Sequence, residues 1–141
     1  MVRLVIHAAF MRRAAFAVAA FAVLAATPAQ ALDLNAFRAQ HKLPPLSLST
    51  ALSGAAYSHA QDMAKRNHLD HNGFKERARL SSGAAAENVS YGCDTQACAV
   101  KQWSESSGHR ANMLMKGVSA YGLASATSDS GRKYWVMMLG N

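Results

Sequence analysis

Only two cysteines and three prolines occur in 141 residues. Two thiols cannot build the disulfide framework on which very small secreted domains depend, and so few prolines exclude a collagen-like or proline-rich chain. Charged residues make up 16% and aromatics 8%, while 50% of the chain is apolar. Those proportions exclude a disordered polar chain and fit one globular domain. No apolar run reaches the roughly 18 residues that a membrane-spanning helix needs. The longest, residues 14–26, contains only Ala, Phe, Val and Leu.

That run is bracketed informatively. Arg12 and Arg13 precede it and Thr27-Pro28-Ala29-Gln30-Ala31 follows. A basic start, a short apolar segment and a small-x-small end are the three parts of a secretory signal peptide, with cleavage expected after Ala31. An uncleaved membrane anchor is the competing reading. Met11, directly before the arginine pair, is an alternative start. The remaining chain, residues 32–141, keeps 12 basic residues and all 8 acidic ones, a net charge of +4. Lys65-Arg66, Arg77/Arg79 and Arg132-Lys133 are its only basic groupings. They form no dense stripe with interleaved aromatics, so nucleic acid is not an expected partner. Export to an oxidising compartment predicts a disulfide between Cys93 and Cys98, since a lone C-x4-C pair lacks the second pair that a structural zinc site needs. Closing so short a loop contributes about 2 kcal/mol in the chain-entropy model.

Along the exported part, a short helix starting near Leu34 is stopped by Pro44-Pro45, because proline lacks the amide and clashes with the preceding turn. Ser49 is a natural N-cap for a longer helix with Leu52, Ala55, Ala56, His59, Ala60, Met63 and Ala64 on one face. The many alanines predict close packing against a sheet. Residues 67–83 read as irregular, broken by Asn72-Gly73 and Ser81-Ser82-Gly83. Residues 86–91 read as a strand or extended segment carrying Glu87 inward. Thr95 caps a third helix running to about Ser106, and residues 120–126 and 134–139 read as a closing hairpin. Helices first and a hairpin last predict an α+β domain with helices on a small antiparallel sheet.

Three titratable side chains, His71, Glu87 and His109, fall in segments rich in turn signals. Two neutral imidazoles and a carboxylate can hold Zn²⁺ or another divalent cation with a position open for water. The same set can work as an acid–base pair without metal. Separations of 16 and 22 residues match no local metal motif. His59, on the apolar face of its helix, reads as a buried, hydrogen-bonded histidine, and His41 and His68 as solvent-facing. Trp103, Tyr134 and Trp135 read as core aromatics.

The surrounding stretches resemble the CAP superfamily (cysteine-rich secretory proteins, antigen 5 and pathogenesis-related 1), in particular its small bacterial SCP-like extracellular members. Residues 37–46, FRAQHKLPPL, resemble the family's first helix and its G-L-P-P-L exit. Ala56, His59, Ala60 and Met63 lie in a stretch resembling its A-x-x-H-A-x-x-M helix. Leu69-Asp70-His71-Asn72 is similar to its L-x-H-S/N turn and Ala86-Glu87-Asn88-Val89 to its G-E-N-I/L/V. Residues 103–114, WSESSGHRANML, are similar to W-x-x-S-P-G-H-R-x-N-I/M-L, and residues 134–140, YWVMMLG, to the closing Y-W-x-x-x-F-G.

The resemblance implies a three-layer α-β-α sandwich with a cleft lined by two histidines and two acidic residues. His71, Glu87 and His109 fall on three of those positions. The fourth is Ser106 here, and Glu105 lies one place earlier, about 100° round a helix. A site of two histidines and one glutamate completed by water is the metal expectation, with Glu87 the candidate base of a metal-assisted hydrolase acting on peptide or cell-envelope substrates. Ser106-Ser107-Gly108 is expected to end the third helix and turn His109 inward. Asn88 and Asn112 are supporting residues, expected to satisfy loop backbone groups. Three roles follow: a module binding a divalent cation or a small or lipidic ligand, the hydrolase, and a structural or envelope-adhesion role. The first is preferred, because no reacting group beyond the trio can be named and no G-x-S-x-G motif is present. Secretion or periplasmic residence is expected, without a transmembrane segment after cleavage.

Overall fold

The computed structural model describes residues 33–141. The expected signal peptide and its expected cleavage after Ala31 lie outside the described residues. Asp33 starts helix α1 (Leu34–Gln40) by accepting the amide of Ala36 through its side chain. Strand β1 (Ser47–Leu48) follows the proline pair, and helix α2 (Thr50–Arg66) begins at once. Ser49 caps α2 by accepting the Leu52 amide, and Asn67 ends it in the left-handed conformation, which asparagine tolerates because its short amide bonds locally. A short helix α3 (Phe74–Ala78) precedes strand β2 (Ala86–Tyr91), which carries Glu87. Helix α4 (Gln96–Ser104) is capped by Thr95 through the Cys98 amide. Helix α5 (Ser107–Met113) and the hairpin strands β3 (Ala120–Thr127) and β4 (Lys133–Gly140) complete the chain.

The strand order is β1-β3-β4-β2. β2, β4 and β3 pair antiparallel, as expected, but β1 pairs parallel to β3, so the sheet is mixed. Helices cover both faces. On one, α2 lays Leu52, Ala56, Ala60 and Met63 on Val89, Val136 and Met138. On the other, Leu34 and Phe37 of α1, Val100 and Trp103 of α4, and Met113 of α5 enclose Trp135, Met137 and Leu139. Alternation along β2 and β4 sends neighbouring residues to opposite layers, which is why these cores separate cleanly.

The α2 face is unusually close. A Cβ on Gly122 of β3 would lie 2.2 Å from the Leu52 carbonyl carbon and the Ser53 nitrogen. Only glycine lets the helix backbone rest directly on the strand. The opposite face is tied by a buried cation. Arg38 of α1 is 1% exposed and donates to the carbonyls of Pro44, Met113 and Met115 at 2.9–3.0 Å. Those bonds hold α1, the proline turn and the end of α5 together. Cys93 and Cys98 form the expected disulfide, with Cα atoms 5.5 Å apart, a normal spacing.

Three expectations are corrected. The 67–83 segment contains α3, five residues long with none buried. The third helix stops at Ser104, and a separate helix follows. Gly108 lies within α5 rather than at a corner, and its φ is not positive. Ser106 opens α5 as its N-cap residue with extended backbone, so the change of direction comes before the glycine is reached.

Candidate functional site

Glu87 is the centre of the site. It points from β2 toward the α2 layer, opposite Met138 of β4, and is 5% exposed. A buried carboxylate requires compensating donors, and three N–H groups supply them. Arg77 of α3 grips it side-on, Nε to Oε2 at 2.7 Å and Nη2 to Oε1 at 2.8 Å. His71 donates from Nδ1 to Oε1 at 2.8 Å. With Nδ1 turned to the carboxylate, Nε2 is the ring nitrogen left facing outward, on a side chain that is 52% exposed.

The loop carrying His71 is set by a second layer of charge. Arg66, at the end of α2, bridges Asp62 and Asp70 at 2.6 and 2.7 Å. The Arg66 contact holds the Asp70 carboxyl below the usual carboxylate range, helped by the Asn72 amide. His59 is buried, as expected, and donates from Nε2 to the Asp70 carbonyl at 2.9 Å. That same nitrogen lies 3.9 Å from Glu87 Oε1, too far for a hydrogen bond.

His109 arrives from the other layer on α5. Asn88 donates to the His109 carbonyl at 3.0 Å, while Asn112 donates to Asn88 Oδ1 at 2.9 Å and to the Glu87 carbonyl at 3.2 Å. The two asparagines thus brace β2 against α5. His109 is half-buried, and burial lowers its pKa below the ordinary histidine value, with the neighbouring His71 adding to the effect. Ser106 makes no capping bond and lines a hollow with His109 and Trp103. Glu105 is exposed and pairs with Lys101, so it does not take the vacant acidic position.

His71 thus pairs with Glu87 on the α2 side of β2, whereas His109 comes from α5 on the other side, near enough to His71 to feel its charge. The arrangement does not fit an ion held by all three. Both Glu87 oxygens already accept from N–H donors, and the Arg77 guanidinium lies against the carboxylate that a cation would approach. Among the described residues no three His, Cys, Asp or Glu side chains form a metal-holding group. Arg77 was missed in the sequence, where it reads as one of a pair of surface cations. Its only local signal is its place three residues into a short helix opened by Asn72-Gly73.

Helices on both faces of a mixed β1-β3-β4-β2 sheet form the α+β fold of a CAP domain. Residues 33–139 match the CAP, cysteine-rich secretory protein, family, and the chain belongs to it. Among particular relatives, the uncharacterized protein YkwD of Bacillus subtilis (strain 168) is 32% identical over 104 residues, 68% of this chain and 40% of YkwD. The chain thus spans less than half of that relative. An outer surface protein from Borrelia burgdorferi superposes with a TM-score of 0.68 at 16% identity, covering 77% of this chain and 86% of that one. An SCP-domain extracellular protein from Bacillus anthracis superposes with a TM-score of 0.65 at 24% identity, covering 77% of this chain and 37% of that one. Both superpositions show the fold.

Proposed function

We propose that the chain is an exported CAP domain that works as a binding module, receiving a small or lipidic cell-envelope ligand in the cleft around His71 and His109 without turning it over. The observation that carries this reading is the engagement of both Glu87 oxygens, which together accept three N–H bonds from Arg77 and His71. A general base needs a free lone pair aimed at the proton it removes. The Glu87 oxygens face Arg77 and His71 instead, deep beneath the cleft surface. What this side of the molecule offers outward is His71 on a half-exposed side chain and, in the hollow lined by His109, Ser106 and Gln102, imidazole, hydroxyl and amide groups, a set suited to recognition. Export is supported by the basic, apolar and small-residue segments of residues 12–31 and by the surface and extracellular character stated for two relatives of the same fold. No described helix is long and apolar enough to cross a membrane.

The test is nuclear magnetic resonance of the histidine side chains during titration with soluble peptidoglycan fragments and, separately, with micellar phospholipid. Saturable shifts at His71 and His109, with the probe recovered intact, are expected. Hydrolysis of either probe that disappears in Glu87→Gln would replace the binding reading with the hydrolase.

A further inference from the structure

β2 is an edge strand, and one stretch of that edge is open. Gly92 donates its amide to Lys133 of β4 at 3.0 Å. By alternation, Ser90 and Asn88 also turn their main-chain groups toward β4, whereas Glu87, Val89 and Tyr91 turn theirs away from the sheet. Asn112 closes the Glu87 end by donating to its carbonyl. Beyond it, no hydrogen bond from outside the sheet reaches the main chain of Val89 or Tyr91 among the described residues.

A hollow of about 390 Å³ lies against this open edge. Leu69, Val89 and Tyr91 wall it on the α2 side, and Ser90, Trp103 and His109 on the α4 and α5 side. Two of these walls carry buried polar atoms without partners: Ser90 Oγ and Trp103 Nε1. Ser90 is 5% exposed and Trp103 fully buried. An indole N–H and a hydroxyl without partners at one site are uncommon in a folded chain and ask for an acceptor. At the Tyr91 end, the Arg132 guanidinium lies 4.8 Å from the ring centroid, placing a cation on the rim.

We infer that an extended peptide adds to the edge of β2, exchanging main-chain hydrogen bonds with Val89 and Tyr91. Strand addition gives affinity through the main chain and specificity through alternate side chains. The peptide residue opposite Ser90 shares its face and sends an acceptor-bearing side chain toward Ser90 and Trp103. Its neighbours lie on Leu69, and an acidic residue near the Tyr91 end meets Arg132. This inference shares with the binding-module reading a ligand held without turnover, and goes beyond it in naming a second ligand class, a peptide, at the β2 edge.

The experiment selects binders from a displayed library of random peptides about eight residues long, then measures the synthetic winners by calorimetry. Methylating the peptide amides one residue at a time is expected to weaken binding about tenfold at alternate positions and little at those between, the size of one lost hydrogen bond. Val89→Pro, which removes an outward amide at an edge that tolerates proline, is expected to lose binding while melting cooperatively. Equal effects at every methylated position, or no selected peptide, would overturn the inference. So would a concentration-dependent dimer in sedimentation that Val89→Pro dissolves, since the edge would then serve a second copy of the chain. Histidine shifts with peptidoglycan fragments but no peptide binding would sink this inference alone. No ligand response of any kind would sink both.

Discussion

The two faces of the sheet are built on opposite principles. On the α2 face, small residues bring backbone against backbone, and the layer has almost no room to adjust. On the α4 and α5 face, bulky aromatics, a disulfide and the buried Arg38 hold separate short helices in place. That second face leaves a hollow beside β2 and two polar atoms without partners. The α2 face presents Glu87, and the α4 and α5 face supplies one wall of the hollow beside β2.

The sharpest way to break this contrast is Gly122→Ala. Its Cβ would meet main-chain atoms of α2 at 2.2 Å, so α2 must lift, and a loss of about 3 kcal/mol or more is expected in urea unfolding. On the other face, Arg38→Met removes three hydrogen bonds to carbonyls and leaves them unpaired, with a loss of about 3 kcal/mol expected. Reducing the Cys93–Cys98 disulfide should cost less, about 2 kcal/mol. Ser90→Ala should go the other way, raising stability by about 1 kcal/mol because it deletes an orphaned hydroxyl. A destabilised Ser90→Ala protein would mean that the hollow is already satisfied by its surroundings.

The same division explains what could be read from the sequence. α2 carries its own periodicity because it buries one face over several turns, whereas β2 and β4 are buried on both faces and are legible through the turn residues that bound them. β1 has two residues and exists only because β3 lies alongside it. α3 buries nothing, so it leaves no apolar pattern. α5 was hidden because Gly108 resembles a corner residue, whereas Ser106 makes the turn. The pairing of His71 with Glu87 is legible through family resemblance rather than spacing. The part played by Arg77 is not, since an arginine on an exposed short helix looks the same whether it faces solvent or a carboxylate ten residues away.

The smallest effect concerns pH. The His109 pKa is lowered in the folded state, so the unfolded chain binds more protons there than the folded one once pH falls below about 6.5. The contribution of neutral His109 is full above that value and is lost as pH falls through the folded pKa. His109→Gln should flatten this part of the stability–pH curve, and an unchanged slope would place its origin elsewhere; Asp70, whose pKa is lowered from the carboxylate range, acts only at more acidic pH.

The account stands on Glu87 being occupied by Arg77 and His71. Anomalous diffraction at the zinc edge, from crystals of residues 32–141 grown with Zn²⁺, tests that directly. The expected map has no ion among His71, Glu87 and His109, and the Arg77 guanidinium still paired with the carboxylate. Zinc ligated by Glu87, with Arg77 displaced, would contradict it.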